Sequence, residues 1–534
     1  GVLNSVTTTN FLEPNQITSI AEQLHGFAPW PVQLGAEFVH GGENNCVVEI
    51  FEKLKWPIKT LEWPDRYYFE SDGTDNETAE TAENPLRALH GLVDANTAEQ
   101  HPDIEETHRL LAELPDTPWV LAGDEDKTET EKDSDQVVID ALEDRATAEV
   151  DCTALEWLTN RVKANQKIIN LAESVYANDF GCSLSTMGMR ETSIEQNCWR
   201  HGEEYILLSD GRTLGDFVEA LGKGVDVRVN HVVERVVWEE SDAGSDGKPG
   251  GVRVTVRDAS SDASDAKNQV TSIRASAVIV ATPISAQKIK HWSPHMNTSI
   301  TFEPNLSHEK VTAIEKIQMS DAVKILLSFD EKFWPKDVWN IVCCDSYFPE
   351  LWMLEYGTEE TNKNIENVFK NSKPIGKHVV TIFACGEKAK EIAKASAESP
   401  SKKQEIIEKA LDQLDGMFGG ESSTTGETKP SRSRFVDSLI YPWSEVSSVG
   451  GAYTHPSVFA AGARLELQKG EYNDTLFFAG EAVNVECNPC MQGAISTGLN
   501  AARLAATNQS MLTNKPLPTN WGTEENFVES FRTR

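Results

Sequence analysis

The chain has 534 residues, 39% of them hydrophobic, which is enough for a large core and two or three domains. Lysine and arginine total 49 against 84 aspartates and glutamates, a formal net charge of −35. Such a surface repels nucleic acid and anionic membranes, and it favours small cationic partners only weakly.

No apolar run reaches the length of a membrane span, and no signal peptide is visible. The C-terminal Arg-Thr-Arg is not a peroxisomal tripeptide. The chain opens on Gly1 rather than methionine, which raises the expectation that an upstream piece is missing. The nine cysteines are scattered and odd in number. They form no disulfide framework, and a reducing, cytoplasmic compartment is expected.

In chain order, WPVQLGAEFVHGG (30–42) reads as a short strand ending in a glycine-bounded loop. DNETAETAENP (75–85) and GDEDKTETEKDSDQ (123–136) are acidic and poor in apolar residues, and read as exposed helix and loop, partly disordered. Helical periodicity returns over 137–180. From Gly202 the pattern turns to strands. VDVRVNHVVERVVW alternates at Val225, Val227 and Val229, and GVRVTVRD alternates at Val252, Val254 and Val256. With ASAVIVATP (275–283) they suggest a three-stranded meander returning into a main sheet through a buried strand. AVKILLSFDEKFW (322–334) and KHVVTIFACG (377–386) are strand-like, and SKKQEIIEKALDQLDGMFG is an amphipathic helix. GGESSTTGETKPSRSR reads as a surface loop.

The last hundred residues say most. Leu476 to Ala479 form a short apolar run stopped by Gly480, the pattern of a buried parallel strand. A loop containing Cys487-Asn-Pro-Cys490 follows. Then comes a helix with Ala494, Ile495, Gly498, Leu499 and Ala502 at helical spacing. A strand, a loop and a helix N-terminus in succession present backbone N–H groups to an anionic or electron-rich ligand. The C-x-x-C itself fits a redox dithiol. It does not fit zinc, because no second C-x-x-C or histidine pair has suitable spacing. Cys343 and Cys344 are adjacent and would point to opposite faces of a strand, so no metal site is expected.

LFFAGEAVN…MQGAISTGLNAARLA resembles the C-terminal flavin segment of the flavin-dependent amine oxidases. That group contains the monoamine oxidases, the polyamine oxidases and the flavin-type histone demethylases. LGAEFVHG, GRTLGDFVEAL…VDVRVNHVVERV, VIVATPISAQKI, AVKILLSFDEKFW and YPWSEVSSVGGAYT are similar to other segments of the family, in the same order. The resemblance implies a mixed α/β (α+β) fold. Its FAD-binding domain would be assembled from 30–45, 200–290 and 435–510, its substrate domain from 46–199 and 291–434, with a tail at 511–534. It implies hydride transfer from an amine C–H to flavin N5, imine hydrolysis, and reoxidation by O2 to peroxide.

The resemblance also implies site residues. Gly480 and Glu481 match the family's Gly-Glu near the ribityl chain and pyrophosphate. Met491 opens the helix whose N–H faces the flavin C2 carbonyl. Val233 matches the backbone contact to adenine. Ala36 and Glu37 lie on the cofactor side of the early strand. Lys324 matches the lysine that holds a water near N5. Its apolar neighbours Val323, Ile325 and Leu327 predict a desolvated ammonium, although an edge-strand lysine reaching solvent is the plainer alternative. Trp443 and Tyr453 match the aromatic walls of the substrate channel, and His40 matches the histidine of animal-type polyamine oxidases. Ordinary core aromatics and a loop-capping histidine are the alternatives for these three.

Three departures stand out. The sequence has no G-x-G-x-x-G, the fingerprint that cradles a dinucleotide pyrophosphate, so poor FAD retention is expected and the N-terminal βαβ unit is expected to be absent. Ala452 occupies the position of the monoamine oxidases' flavin-bonding cysteine, so non-covalent FAD is expected. Cys490 replaces their second cage tyrosine. With His40 and the acidic surface, this favours polyamine-like amines, with O2 as second substrate. The competing readings are a dithiol flavoprotein using Cys487 and Cys490, and a non-catalytic, FAD-deficient relative.

Overall fold

The computed structural model describes residues 27–70 (29 and 31 excepted), 91–95, 104–107 (106 excepted), 151–239, 251–259, 270–288, 296, 299–355, 376–420, 426–513, 517 and 521–533. The acidic stretches 75–85 and 123–136 lie outside the described residues, as do 137–150 and most of the connection 239–251.

The strand Ala322–Phe329 organises the centre of the molecule, and all eight of its residues are buried. It runs antiparallel to His378–Cys385 on one side and Phe435–Pro442 on the other. These three belong to a seven-stranded sheet. Its order is Phe435–Pro442, Ala322–Phe329, His378–Cys385, Glu350–Trp352, Asn340–Cys343, Arg66–Phe69, Gly91–Asp94. Side chains alternate across a pleated sheet. Val323, Ile325, Leu327 and Phe329 therefore enter one apolar core, which also takes Ile406, Leu411, Leu414 and Phe418 of the helix Pro400–Phe418. Ala322 and Leu326 enter a second core with Leu34, Tyr441, Trp443 and Phe478. Lys324 shares the face of this second core. Cys343 and Cys344 enter different cores, as adjacent strand residues should.

The meander forms as expected. His231–Glu239, Gly251–Asp258 and Val270–Ala275 are antiparallel neighbours, and Thr301–Glu303 adds parallel to the first of them. Residues 225–229, expected to open its first strand, lie outside any strand. Val225, Val227 and Val229 are 62%, 64% and 44% exposed. Alternation describes only the side chains, whereas a strand also needs a neighbour for its N–H and C=O groups. Here the backbone closes local turns instead, Val225 N–H to Gly222 O and Val227 N–H to Val225 O.

Val278–Val280 pairs in parallel with Leu476–Phe478. The latter is buried throughout, as expected. Val278–Val280 is not, since Ile279 points outward and only Val280 is buried. The early segment is mostly extended coil, with a strand only at Val39–His40. The expected loop at 419–434 contains a short helix, Pro430–Arg434. The long C-terminal helix is Met491–Thr513. Among the described residues, no helix is long and apolar enough to cross a membrane.

Candidate functional site

Residues 33–40 form the spine of the site, and three distant elements hold their carbonyls. Lys324 Nζ donates to Gly35 O at 2.6 Å and Gln33 O at 3.2 Å. Trp443 Nε1 donates to Leu34 O at 2.9 Å. Gln492 Nε2, one residue into the long helix, donates to His40 O at 3.0 Å.

Lys324 is buried on a central strand, so the edge-strand alternative falls. Its ammonium also lies 3.5 Å from Glu37 Oε2 and 5.2 Å from the centre of the Trp352 ring. Trp352 Nε1 in turn donates to Glu37. Burial lowers the Lys324 pKa, and Glu37 opposes that shift. Two carbonyls and one carboxylate thus occupy the three donor directions of this ammonium.

His40 stacks edge-on against Tyr205, with ring centres 4.5 Å apart. Burial lowers the His40 pKa, against the pull of the Asp179 carboxylate, so the imidazole is uncharged at neutral pH. Tyr205 also meets Phe38 edge-on and stacks on Trp63. Its hydroxyl donates to Asp179 Oδ1 at 3.0 Å. Tyr453 Oη donates to the Asp179 main-chain oxygen at 3.0 Å. The Tyr453 ring lies over Gly181, whose positive φ and lack of a side chain leave the space that the ring fills. Tyr453 and His40 are thereby brought to one residue, Asp179, the first through its main-chain oxygen, while Trp443 stands against Tyr441 at 5.2 Å.

Glu481 is buried and accepts from Thr454 Oγ1 at 2.6 Å. Arg464 Nη1 donates to the same Thr454 oxygen at 3.0 Å, and Arg464 Nε pairs with Glu191 at 2.6 Å. Asn488 Nδ2 donates to Glu195, another buried carboxylate. Gly480 has φ 118° and ψ 174°, and beside its α-carbon the nearest atom to an added methyl would be Ala281 O at 4.0 Å. Met491 packs at the edge of an apolar cluster with Ile50 and Phe217. Val233 lies on the first meander strand, half-buried against the core that contains Leu34. Ala36 is exposed on the spine.

These positions bear on whether a flavin ring system fits. Gly480 leaves open backbone at the end of a buried parallel strand. The first-turn N–H groups of the long helix have no intrahelical acceptors. Gln492, only 3% exposed, has its Oε1 without a hydrogen-bond partner among the described residues. An open cradle, free amides and an orphaned carbonyl oxygen suit the polar edge of a flavin ring. For the pyrophosphate end, the sequence has no glycine fingerprint to offer.

Asp179, Tyr205, Glu350, Arg464 and Gln492 were missed by sequence reasoning. Only Glu350 carries a usable signal, a lone carboxylate inside an apolar strand run. It accepts from Trp63 Nε1 and Asn340 Nδ2, both at 2.9 Å, and from Asn178 Nδ2 at 3.2 Å. Burial pushes its carboxyl up from 4.5 to about 7; the donors oppose the shift and the Asp179 charge adds to it. Because the folded value is the higher one, this contribution to stability is fully present below about pH 4.5 and is lost as pH rises through about 7. Glu350→Gln is expected to flatten that decline, by about 3 kcal/mol across the window. Melting curves of both proteins over this pH range measure it.

Both cysteines of the C-x-x-C are free thiols, and reactive dithiols have depressed thiol pKa values. Burial pushes Cys487 and Cys490 well above the ordinary thiol value, and nearby carboxylates add to the shift.

The sequence model of the flavin containing amine oxidoreductases matches residues 19–506. A probable polyamine oxidase 4 of Arabidopsis thaliana is 26% identical over 316 residues, which is 58% of this chain and 51% of that protein. A lysine-specific histone demethylase 1 homolog of Oryza sativa subsp. japonica is 24% identical over 302 residues, 56% of this chain and 32% of that protein. The chain thus spans about half the length of the polyamine oxidase and a third of the demethylase homolog. Among solved structures, cyclohexylamine oxidase from Brevibacterium oxydans superposes with a TM-score of 0.57 at 16% identity, covering 90% of this chain and 88% of that one. A putrescine oxidase variant gives 0.59 at 13% identity, covering 89% and 88%. The fold is therefore that of the flavin amine oxidases. By a family match running nearly the length of the chain, the protein belongs to the flavin-containing amine oxidoreductase family, whose members use a flavin.

Proposed function

We propose that the protein is an FAD-dependent amine oxidase acting on a primary or secondary aliphatic amine, polyamine-like in character. The observation that carries this reading is the clamp on residues 33–40. Lys324, Trp443 and Gln492 come from three separate parts of the chain, and each donates to a backbone carbonyl of that one segment.

FAD, when bound, supplies the redox chemistry, accepting hydride at N5 from the carbon next to the amine nitrogen and passing the electrons to O2 to give hydrogen peroxide. The protein's residues bind and orient. The N-terminal amides of the helix Met491–Thr513 favour negative charge on the ring. Gly480 and Glu481 would hold the cofactor's middle, Val233 its adenine end, and Ala36 and Glu37 would lie along the ring side. Lys324 fixes the backbone beside them. Trp443 and Tyr453 wall the channel, with the uncharged His40 at its mouth. Ala452 offers no thiol, so FAD is held without a covalent bond. In this reading the cofactor domain takes 30–45, 200–290 and 435–510, and the substrate domain most of the rest.

The test uses FAD-saturated protein mixed anaerobically with spermidine. Loss of the visible flavin absorbance, its return in air and release of peroxide are the expected results. Acid precipitation should leave the flavin in the supernatant. Failure of every primary and secondary aliphatic amine to bleach the bound flavin would sink the proposal. A protein that takes up no FAD would point to the non-catalytic relative.

A further inference from the structure

Residues 225–229, Val-Asp-Val-Arg-Val, carry the alternation of a strand without belonging to one. All of them are exposed, and they lead into the first meander strand, His231–Glu239. Among the described residues, Met511 is the one large apolar side chain more exposed than Val225 and Val227. A valine stripe left in water is a surface that contact with another chain would cover.

The backbone of the segment divides the same way. Val225 and Val227 use their N–H groups locally, on Gly222 O and Val225 O. The N–H and C=O groups of Asp226 and Arg228 have no hydrogen-bond partner among the described residues. In an extended chain both groups of a residue point to one edge, and alternate residues share that edge. Asp226 and Arg228 thus offer donors and acceptors along one side, once the tight turn that joins Val227 N–H to Val225 O opens.

The charges decide what fits there. Laid antiparallel on a second copy about Val227, Asp226 falls opposite Arg228 and Arg228 opposite Asp226. Both are then hydrogen-bonded pairs, and the free N–H and C=O groups of the two residues are used. Val225 falls opposite Val229 and Val227 opposite itself. The valines of both copies line one face and Asp–Arg pairs the other, which are favourable cross-strand neighbours. A slip of one residue would set charge against valine. Elsewhere the net charge of −35 makes two copies repel. Within this segment Asp226 and Arg228 balance, 2.7 Å apart.

We propose that residues 225–229 are the contact of a two-fold symmetric homodimer, pairing antiparallel with the same residues of a second copy. The proposal is independent of the oxidase reading. So short a ribbon buries less than the ~1,200 Å² of lasting interfaces, so the dimer is a transient one.

The test is sedimentation velocity of the full chain over a concentration series, with circular dichroism to show that each variant is folded. Wild type is expected to shift from monomer to dimer. Asp226→Arg and Arg228→Asp each set like charges opposite each other across the contact. Each alone should weaken dimerisation on the order of 10- to 100-fold. Mixed in equal amounts, the two variants place Arg opposite Asp at both positions, and the mixture should dimerise as wild type does. Neither variant retains the internal Asp226–Arg228 pair, so if that pair merely shaped the segment, the mixture would stay as weak as its components. Such a mixture overturns the proposal, as does a dimer indifferent to both substitutions. A wild type that remains monomeric at every concentration also overturns it, and leaves the edge to a different polypeptide.

Discussion

Lys324→Met is expected to destabilise the protein by about 3–5 kcal/mol, the cost of breaking a buried ion pair from one side. The substitution preserves apolar bulk but leaves the Glu37 carboxylate without its cation in a buried setting. It also strips a donor from the Gln33 and Gly35 carbonyls. The loss should appear as a lower thermal midpoint of the protein without added flavin, and as weaker FAD binding because the spine loosens. Lys324→Met with Glu37→Gln should recover much of the stability, since no unpaired charge then remains. Recovery in the double variant separates charge compensation from simple packing. Single and double variants that melt alike would show that Glu37 and Lys324 are not energetically coupled.

Arg464→Met carries an effect of similar size. Arg464 and Glu191 are both buried and pair at 2.6 Å. The guanidinium also donates to Thr454 Oγ1 and Ala482 O, both at 3.0 Å, and to His455 O at 3.3 Å. Removing it leaves Glu191 buried without its cation and several acceptors without donors, again about 3–5 kcal/mol. Thr454 would also lose the contact that orients its hydroxyl toward Glu481. FAD affinity should therefore fall more than melting alone accounts for. The check is a flavin titration at a temperature where circular dichroism shows the variant folded. Unchanged affinity there would remove Arg464 from the cofactor side and leave it a purely structural cation.

How much of this was legible in the sequence differs from residue to residue. The burial of Lys324 was legible only through the family resemblance, since its apolar neighbours Val323 and Ile325 alone left an edge-strand lysine reaching solvent as the plainer reading. The strand Leu476–Phe478 and the helix after Met491 were legible from an apolar run stopped by glycine and from helical spacing. The helix Met189–Cys198 was not. Its residues MRETSIEQNC are mostly polar and carry no apolar stripe, yet Arg190, Glu191, Thr192, Ser193 and Glu195 are all buried. What makes that tolerable is pairing with groups far along the chain, Arg464 and Asn488 among them, and no local pattern encodes it. Asp179 was hidden for the same reason, because its partners Tyr205 and Tyr453 are near only in space. The valines at 225–229 show the converse error, a clean alternation that lies outside any strand.

The spine at residues 33–40 also bears on how the chain reaches its native state. Its tethers arrive from 289, 409 and 452 positions downstream. Closing loops of that span costs entropy before any contact rewards it, and chains dominated by such distant pairings fold slowly. The candidate site therefore becomes competent late, after the C-terminal helix has met residues 33–40. Until then the apolar strands behind it stay exposed to aggregation and to chaperones. In a refolding experiment, recovery of the site should lag behind recovery of helical content, making it a reporter of complete rather than partial assembly.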